Sequence, residues 1–136
     1  MNYRLLGVLS ILALLLASPA WAFTESPTGV TFEVSYKEPT TNTAGGPPLL
    51  TQTTIYYKLG TGAEATLIVP ASSPAGGAVI TKPVTVPIVP GQVGTINVQV
   101  TASNPAGESV RTPVVSKTDD RSAQVVDPPP SNLTVN

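Results

Sequence analysis

The side chains that could do acid–base or metal chemistry in this sequence are carboxylates, because it contains no histidine and no cysteine. A Ser-His-Asp or Cys-His nucleophile, a thiolate or imidazole metal site and a disulfide are therefore excluded. Two carboxylates in one cleft would suffice for glycoside hydrolysis. The residues around each glutamate instead place it on a polar strand face, at a strand end or in a turn, where we expect solvated charges. These glutamates are Glu33, Glu38, Glu64 and Glu108.

Three aspartates near the C-terminus, Asp119, Asp120 and Asp127, offer oxygen ligands for calcium. They lack the regular D-x-D-x-D-G spacing of a calcium loop, and a short run of charges is usually solvated. Seven basic and eight acidic residues give a net charge of −1, without the basic patch that nucleic-acid binding requires. The sequence therefore predicts no metal, no cofactor, no nucleic-acid partner and no enzyme activity.

Tyr56 is the aromatic residue with the best prospect of contacting a partner. In "TTIYYKL" the alternation turns Ile55 and Tyr57 inward, so Tyr56 and Lys58 share the outer face. An exposed tyrosine between polar groups can stack on a sugar or anchor a protein interface. The alternative is a cross-strand partner on a half-exposed sheet face, without a binding role.

The turn "SNPAGES" supplies two further candidate partner contacts, Asn104 and Glu108. Asparagine and glycine tolerate the backbone angles of tight hairpin turns, and Pro105 fixes φ at a turn position. The conformation of the turn is therefore sufficient to explain the presence of Asn104 and Gly107. The loop contains no Arg-Gly-Asp adhesion motif.

Alternation of apolar and polar residues predicts short β-strands along most of the chain. The 15 prolines and 11 glycines argue against helices. Pro87 has no N–H, so its strand should lie at a sheet edge or contain a bulge. An antiparallel β-sandwich is predicted, with strands at 30–36, 53–59, 66–70, 84–88, 96–102 and 110–115. Its central inward positions are Val34, Tyr36, Ile55, Tyr57, Val98 and Val100.

The segment "VQVTASNPAGES" resembles the penultimate strand and turn of fibronectin type III domains, whose pattern is V-x-A-x-N-x-x-G-x-S. "VSYKEP" (34–39) and "TIYYKLGTG" (54–62) resemble the second and third strands of that family, in the correct order. The resemblance covers about residues 28–117. It implies an all-β, antiparallel immunoglobulin-like sandwich of about six to seven strands.

Three positions depart from the family's pattern. Tyr36 stands where the second strand usually has tryptophan, and Ile96 stands at the tyrosine-corner position, so that hydroxyl bond is missing. The only segment available for a first strand is "FTESPTG" (23–29), which Pro27 and Gly29 interrupt. The first strand is therefore predicted to be short or absent.

Residues 1–22 have the features of a secretory signal peptide. Arg4 precedes an apolar run over 5–17 that is too short to span a bilayer comfortably, and Ala20 and Ala22 fit the −3 and −1 positions of a cleavage site. Cleavage would leave Phe23 first in an exported chain without membrane insertion. The predicted location is the periplasm, the cell surface or the extracellular space.

The sandwich is predicted to occupy residues 23–117, because 118–136 change in character. This segment is polar, then contains three consecutive prolines, and predicts a linker or tail. Its final "SNLTVN" puts Leu133 and Val135 on one face. The tail could donate this segment to the sheet edge that a missing first strand leaves open, in its own domain or in a neighbouring copy.

Two functions are compatible with these features. The first is a non-enzymatic exported module that contacts another protein, or its own copies, in a surface or periplasmic assembly. The second is a small carbohydrate-binding module, which needs two or more coplanar exposed aromatic rings. Beyond the signal peptide only Tyr56 and Phe23 are candidates for exposure, and this small number favours a protein partner.

Overall fold

The computed structural model describes residues 23–124, and within this range it contains eight β-strands and no helix. The described residues accordingly include no helix long and apolar enough to cross a membrane. The predicted signal peptide, Asp127, Leu133 and Val135 lie outside the described range. The strands are β1 (Thr24–Ser26), β2 (Gly29–Lys37), β3 (Gln52–Leu59), β4 (Ala65–Pro70), β5 (Val79–Val86), β6 (Val93–Asn104), β7 (Gly107–Glu108) and β8 (Val115–Asp120).

The strands form two antiparallel sheets, which confirms the predicted all-β sandwich. One sheet has the order β1-β2-β5, and the other has the order β4-β3-β6, with β7 and β8 both pairing with β6. Eight strands are present rather than the six or seven expected. Two of them, β1 and β7, have only three and two residues and are too short to give an alternating pattern in the sequence. The strand predicted at 84–88 instead spans Val79–Val86 and stops before Pro87. It lies at a sheet edge, as expected.

The core lies between the sheets and is built from the faces that alternation predicted. Every second residue of β2 and of β6 is buried, and Tyr57 of β3 is partly buried against them. A buried hydrogen bond of 2.5 Å joins the hydroxyls of Tyr36 in β2 and Thr53 in β3, in opposite sheets. Burial raises the pKa of Tyr36. The main core side chains are Val30, Phe32, Val34, Tyr36, Ile55, Val69, Val84, Val86, Ile88, Ile96, Val98 and Val100.

The first strand is short, as predicted. β1 pairs with the start of β2, from Thr24 opposite Thr31 to Ser26 opposite Gly29, and the two residues between them make the turn. Gly29 is required there, because a Cβ on it would lie 2.6 Å from the carbonyl oxygen of Val86. β1 therefore covers only three of the nine residues of β2.

The C-terminal boundary predicted at residue 117 is wrong, because β8 continues to Asp120 and pairs with β6 throughout. The next side chain, Arg121, is 4% exposed. Its guanidinium donates hydrogen bonds to the carbonyl oxygens of Ser26 (2.8 Å) and Ile88 (2.7 Å), and a longer one to that of Gly29 (3.4 Å). The polar composition of residues 118–121 suggested a tail, whereas these residues are part of the folded sandwich.

The strand predicted at 110–115 is also displaced. Residues 109–114 join β7 to β8 without a regular ladder, and Pro113 has no N–H to contribute to one. The amides of Ser109 and Thr112 donate to the carbonyl oxygens of Ala102 (2.9 Å) and Val100 (3.0 Å) in β6. The hydroxyls of Ser109 and Thr112 accept in return from the amides of Ala102 and Val100, each at 3.0 Å, so the segment is fastened to β6 without a strand ladder.

Glu38 is not the solvated charge that the sequence suggested, since its exposure is 2%. Its carboxylate accepts hydrogen bonds from the amide (2.9 Å) and the hydroxyl of Ser72, in the connection between β4 and β5. Its own amide bonds to the carbonyl oxygen of Ala78 at 2.9 Å. Glu38 therefore fastens this connection to the end of β2.

Candidate functional site

Tyr56 lies on the outer face of the five-stranded sheet, as predicted, and is half-buried. In register it stands between Thr66 of β4 and Gln99 of β6. β3 is a central strand of this sheet, so the tyrosine occupies the middle of the face. Side chains from the connections at both sides of the sheet approach it there.

Glu108, on β7, is held against Tyr56 although 52 residues separate them. One carboxylate oxygen accepts hydrogen bonds from the hydroxyls of Tyr56 (2.5 Å) and Thr101 (2.5 Å). These two bonds lower the pKa of Glu108, that from Thr101 most, while the bond to Glu108 raises the pKa of Tyr56. At neutral pH the pair is therefore a carboxylate and a neutral phenol.

Arg111 covers the ring of Tyr56, with its guanidinium carbon 3.7 Å from the ring centroid. The same guanidinium donates to both carboxylate oxygens of Glu64, at 2.8 and 2.9 Å, and this ion pair lowers the pKa of Glu64. Glu64 comes from the turn between β3 and β4. We call Tyr56, Glu64, Thr101, Glu108 and Arg111 the Tyr56 surface.

The Tyr56 surface is ordered by its own contacts but adds little to stability. The side chains of Arg111 and Glu64 are 39% and 35% exposed, and ion pairs so accessible to water are largely screened and contribute little to stability. The cation–π contact of Arg111 with Tyr56 is also weak, because it lies at an exposed site. A tyrosine, an arginine and two carboxylates therefore stand in fixed positions that the fold hardly requires.

The other two predicted contact residues differ in position. Lys58 is exposed two residues along β3 from Tyr56, and its charge helps to lower the pKa of Glu64, so it borders the surface. Asn104 is half-buried; its amide donates to the carbonyl oxygen of Pro48 and accepts from the amide of Ala106, at 3.0 and 2.9 Å. Asn104 thus has the structural role that its turn suggested.

Sequence reasoning missed Arg111, the residue that completes the surface. The segment 110–115 was interpreted as a strand, and nothing in the local pattern links it to a tyrosine 55 positions earlier. The one sequence signal for Arg111 was that a cation without an assigned role follows the turn that contains Glu108.

Asp119, a weak calcium candidate, is buried on the inner face of β8 and is not solvated. One of its carboxylate oxygens has no hydrogen-bond partner among residues 23–124. Desolvation, and then the nearby charge of Glu25, raise the pKa of Asp119, while Arg121 and Lys117 act in the opposite direction. Residues 23–124 contain no cluster of three or more His, Cys, Asp or Glu suited to a metal ion.

Replacing Asp119 by Asn should stabilise the protein at pH 7, because a neutral amide does not bear the desolvation cost of a buried carboxylate. Since the fold raises this pKa, the parent loses stability as the pH rises from the unfolded pKa, about 3.9, through the folded one. The advantage of the variant should therefore shrink as the pH is lowered towards 3. Urea denaturation at several pH values measures this trend.

The adjacent Asp120 is a control with the opposite sign. It is exposed and accepts hydrogen bonds from the amide (3.0 Å) and hydroxyl (2.6 Å) of Ser122, which lower its pKa. Asp120→Asn should therefore slightly destabilise the protein at neutral pH, and this effect should vanish as the pH falls. Parallel pH trends for the two variants would contradict the assignment of Asp119.

Comparisons of the chain with protein-family models, with curated proteins and with solved structures give no match. What the chain does must therefore be inferred from its own surfaces.

Proposed function

We propose that this protein is an exported, non-enzymatic binding module of fibronectin type III character, and that the Tyr56 surface contacts a protein partner in a surface or periplasmic assembly. The signal-peptide features of residues 1–22 support export. The arrangement of the Tyr56 surface carries the proposal for a protein partner.

Strand pairing supports the family assignment. In immunoglobulin constant domains the fourth strand joins the sheet of the first, second and fifth strands. Here β4 pairs with β3 in the other sheet, leaving β1, β2 and β5 as a three-stranded sheet. Together with the Val100-to-Ser109 motif on β6 and the turn after it, this pairing favours the fibronectin type III arrangement.

The composition and order of the Tyr56 surface favour protein binding. Tyrosine and arginine are enriched among the residues that dominate binding energy at protein interfaces. The hydroxyl of Tyr56 is fixed by Glu108 and its ring by Arg111, so little side-chain freedom remains to be lost on binding. Glu64 and Arg111 can exchange their mutual ion pair for charged partners.

A carbohydrate is a poorer ligand, because the aromatic rings are already covered. The guanidinium of Arg111 occupies a face of Tyr56 on which a sugar would stack. Phe23 packs edge-to-face on Phe32 with a centroid distance of 6.4 Å, and Lys117 lies 4.9 Å from its ring centroid. Neither ring offers an open platform, and they are far from coplanar neighbours, since Tyr56 lies in the five-stranded sheet and Phe23 precedes β1 of the other sheet.

Site-specific cross-linking in the native host tests the proposal. A photoreactive phenylalanine analogue replaces Tyr56 in one version and Thr81, on the outer face of the opposite sheet, in the matched control. We expect one discrete protein adduct from position 56 and none from position 81. Arg111→Ala introduced into the first version should weaken the adduct at least several-fold, because the surface loses its cation.

Equal adducts at both positions, or none at position 56, would contradict the proposed surface. Loss of folding cannot explain a negative result if the variants unfold at the same urea concentration as the parent. Retention on immobilised polysaccharides, abolished by Tyr56→Ala, would instead support the carbohydrate alternative.

A further inference from the structure

The sheet formed by β1, β2 and β5 has an open edge along β2. β5 pairs with β2 from Val30 to Lys37, whereas β1 reaches only to Thr31 on the other side. Within the described part of the chain, no strand pairs with residues 33–37 on the β1 side. We call this stretch the open β2 edge.

The direction of the backbone groups at this edge follows from the pairing. The amide of Glu38 bonds to Ala78, on the β5 side. Neighbouring residues of a strand direct their N–H and C=O groups to opposite edges. The backbone groups of Glu33, Ser35 and Lys37 therefore point to the open edge, and natural proteins rarely leave such a row without a partner or protection.

We propose that residues 131–136 of a second copy of this chain, SNLTVN, add as a strand to the open β2 edge. The segment has six residues and extends about 20 Å, enough to cover the five residues of the edge. It contains no proline, so all its amides can donate. The edge belongs to the three-stranded sheet, so this contact is independent of the Tyr56 surface.

The alternation of SNLTVN fits the two faces that an added strand would continue. The outer face of this sheet is polar, with paired hydroxyls of Thr31 and Thr85 at 2.7 Å and of Ser35 and Thr81 at 3.1 Å. Asn132, Thr134 and Asn136 would extend that face. Leu133 and Val135 would turn to the inner side, where the strand's apolar residues are buried.

The position of the last described residue favours a second copy over the chain's own edge. The side chain of Gln124 donates to Glu25, which is paired with Val30. The open edge begins three residues further along, about 10 Å away. The spacer VVDPPP (125–130) is about 19 Å long when extended, and its prolines resist turning back. The spacer would therefore carry SNLTVN beyond its own edge, and the resulting contact would be head-to-tail.

Matched double substitutions in the chain that begins at Phe23 test the proposal. Leu133→Lys with Val135→Lys places two charges on the apolar face, and Asn132→Lys with Thr134→Lys places the same charges on the polar face. By sedimentation, we expect the parent and the polar-face variant to associate as concentration rises and the apolar-face variant to remain monomeric. In the parent, exchange of the amides of Glu33, Ser35 and Lys37 should slow about tenfold or more on association.

Each other outcome contradicts the proposal. A parent that is monomeric with protected amides would indicate pairing within one chain. A monomer with rapid exchange would mean that the charges of Glu33 and Lys37 alone protect the edge. Association that both double variants retain would place the contact elsewhere.

Discussion

Replacing Phe32 by Ala should lower the free energy of unfolding by about 3–5 kcal/mol, the usual cost of deleting a buried phenylalanine ring. Phe32 is 1% exposed in the middle of β2 and packs edge-to-face with Phe23. Domains of this kind are stable by only about 5–15 kcal/mol, and this chain has no disulfide to compensate. Chemical denaturation followed by circular dichroism gives the value.

Glu33→Ala is the matched control, since Glu33 is the next residue along β2 and faces solvent. Its expected cost is about 0.5 kcal/mol or less. Similar losses at the two positions would mean that the facing of β2 is wrong by one residue, because such a slip exchanges all buried and exposed side chains.

Arg121→Ala should cost about 3 kcal/mol, although the position lies beyond the end that polarity suggested for the domain. The substitution deprives the buried carbonyl oxygen of Ile88 and the part-buried one of Ser26 of their donor. Each unsatisfied buried acceptor costs about 1–3 kcal/mol, and the lost side chain also leaves a cavity. The midpoint of urea denaturation measures the loss.

Arg111→Ala removes a guanidinium from an exposed position and should cost far less than Arg121→Ala, because an ion pair so accessible to water is largely screened. If Arg121→Ala were as mild, residues 118–121 would be a tail after all. If Arg111→Ala were as severe, the Tyr56 surface would be needed for the fold, and its availability for a partner would be in doubt.

The facing of the strands could be predicted because burial in a sandwich imposes a period of two on each strand separately. β2, β3 and β6 each carry that signal in their own sequence. The burial of Glu38 and Arg121 could not be predicted in this way. Glu38 is satisfied by Ser72, and Arg121 by carbonyl oxygens near the other end of the chain. Such partners are brought together by the fold, and local polarity then suggests the wrong environment.

The candidate site shows the same limit. The outward direction of Tyr56 followed from its neighbours, but its contacts with Glu108 and Arg111 depend on the path of the connection between β7 and β8. That path deviates from the predicted strand at Pro113. Tyr56 and Glu108 were therefore predicted from the sequence, and Arg111 was not. The contacts that join the three residues in one surface are visible only in the structure.

The hydrogen bonds between the first and the last described residues determine how the domain would respond to mechanical tension. Arg121 bonds to Ser26, and Gln124 bonds to Glu25, so the segments entering and leaving the sandwich lie side by side. A pulling force applied through those segments would act on these hydrogen bonds and on the three-residue β1 before it reached the core. These few hydrogen bonds would break one after another rather than resist the force together in shear. In a surface assembly, such a domain would yield at its margin and extend while the rest of the sandwich stayed folded.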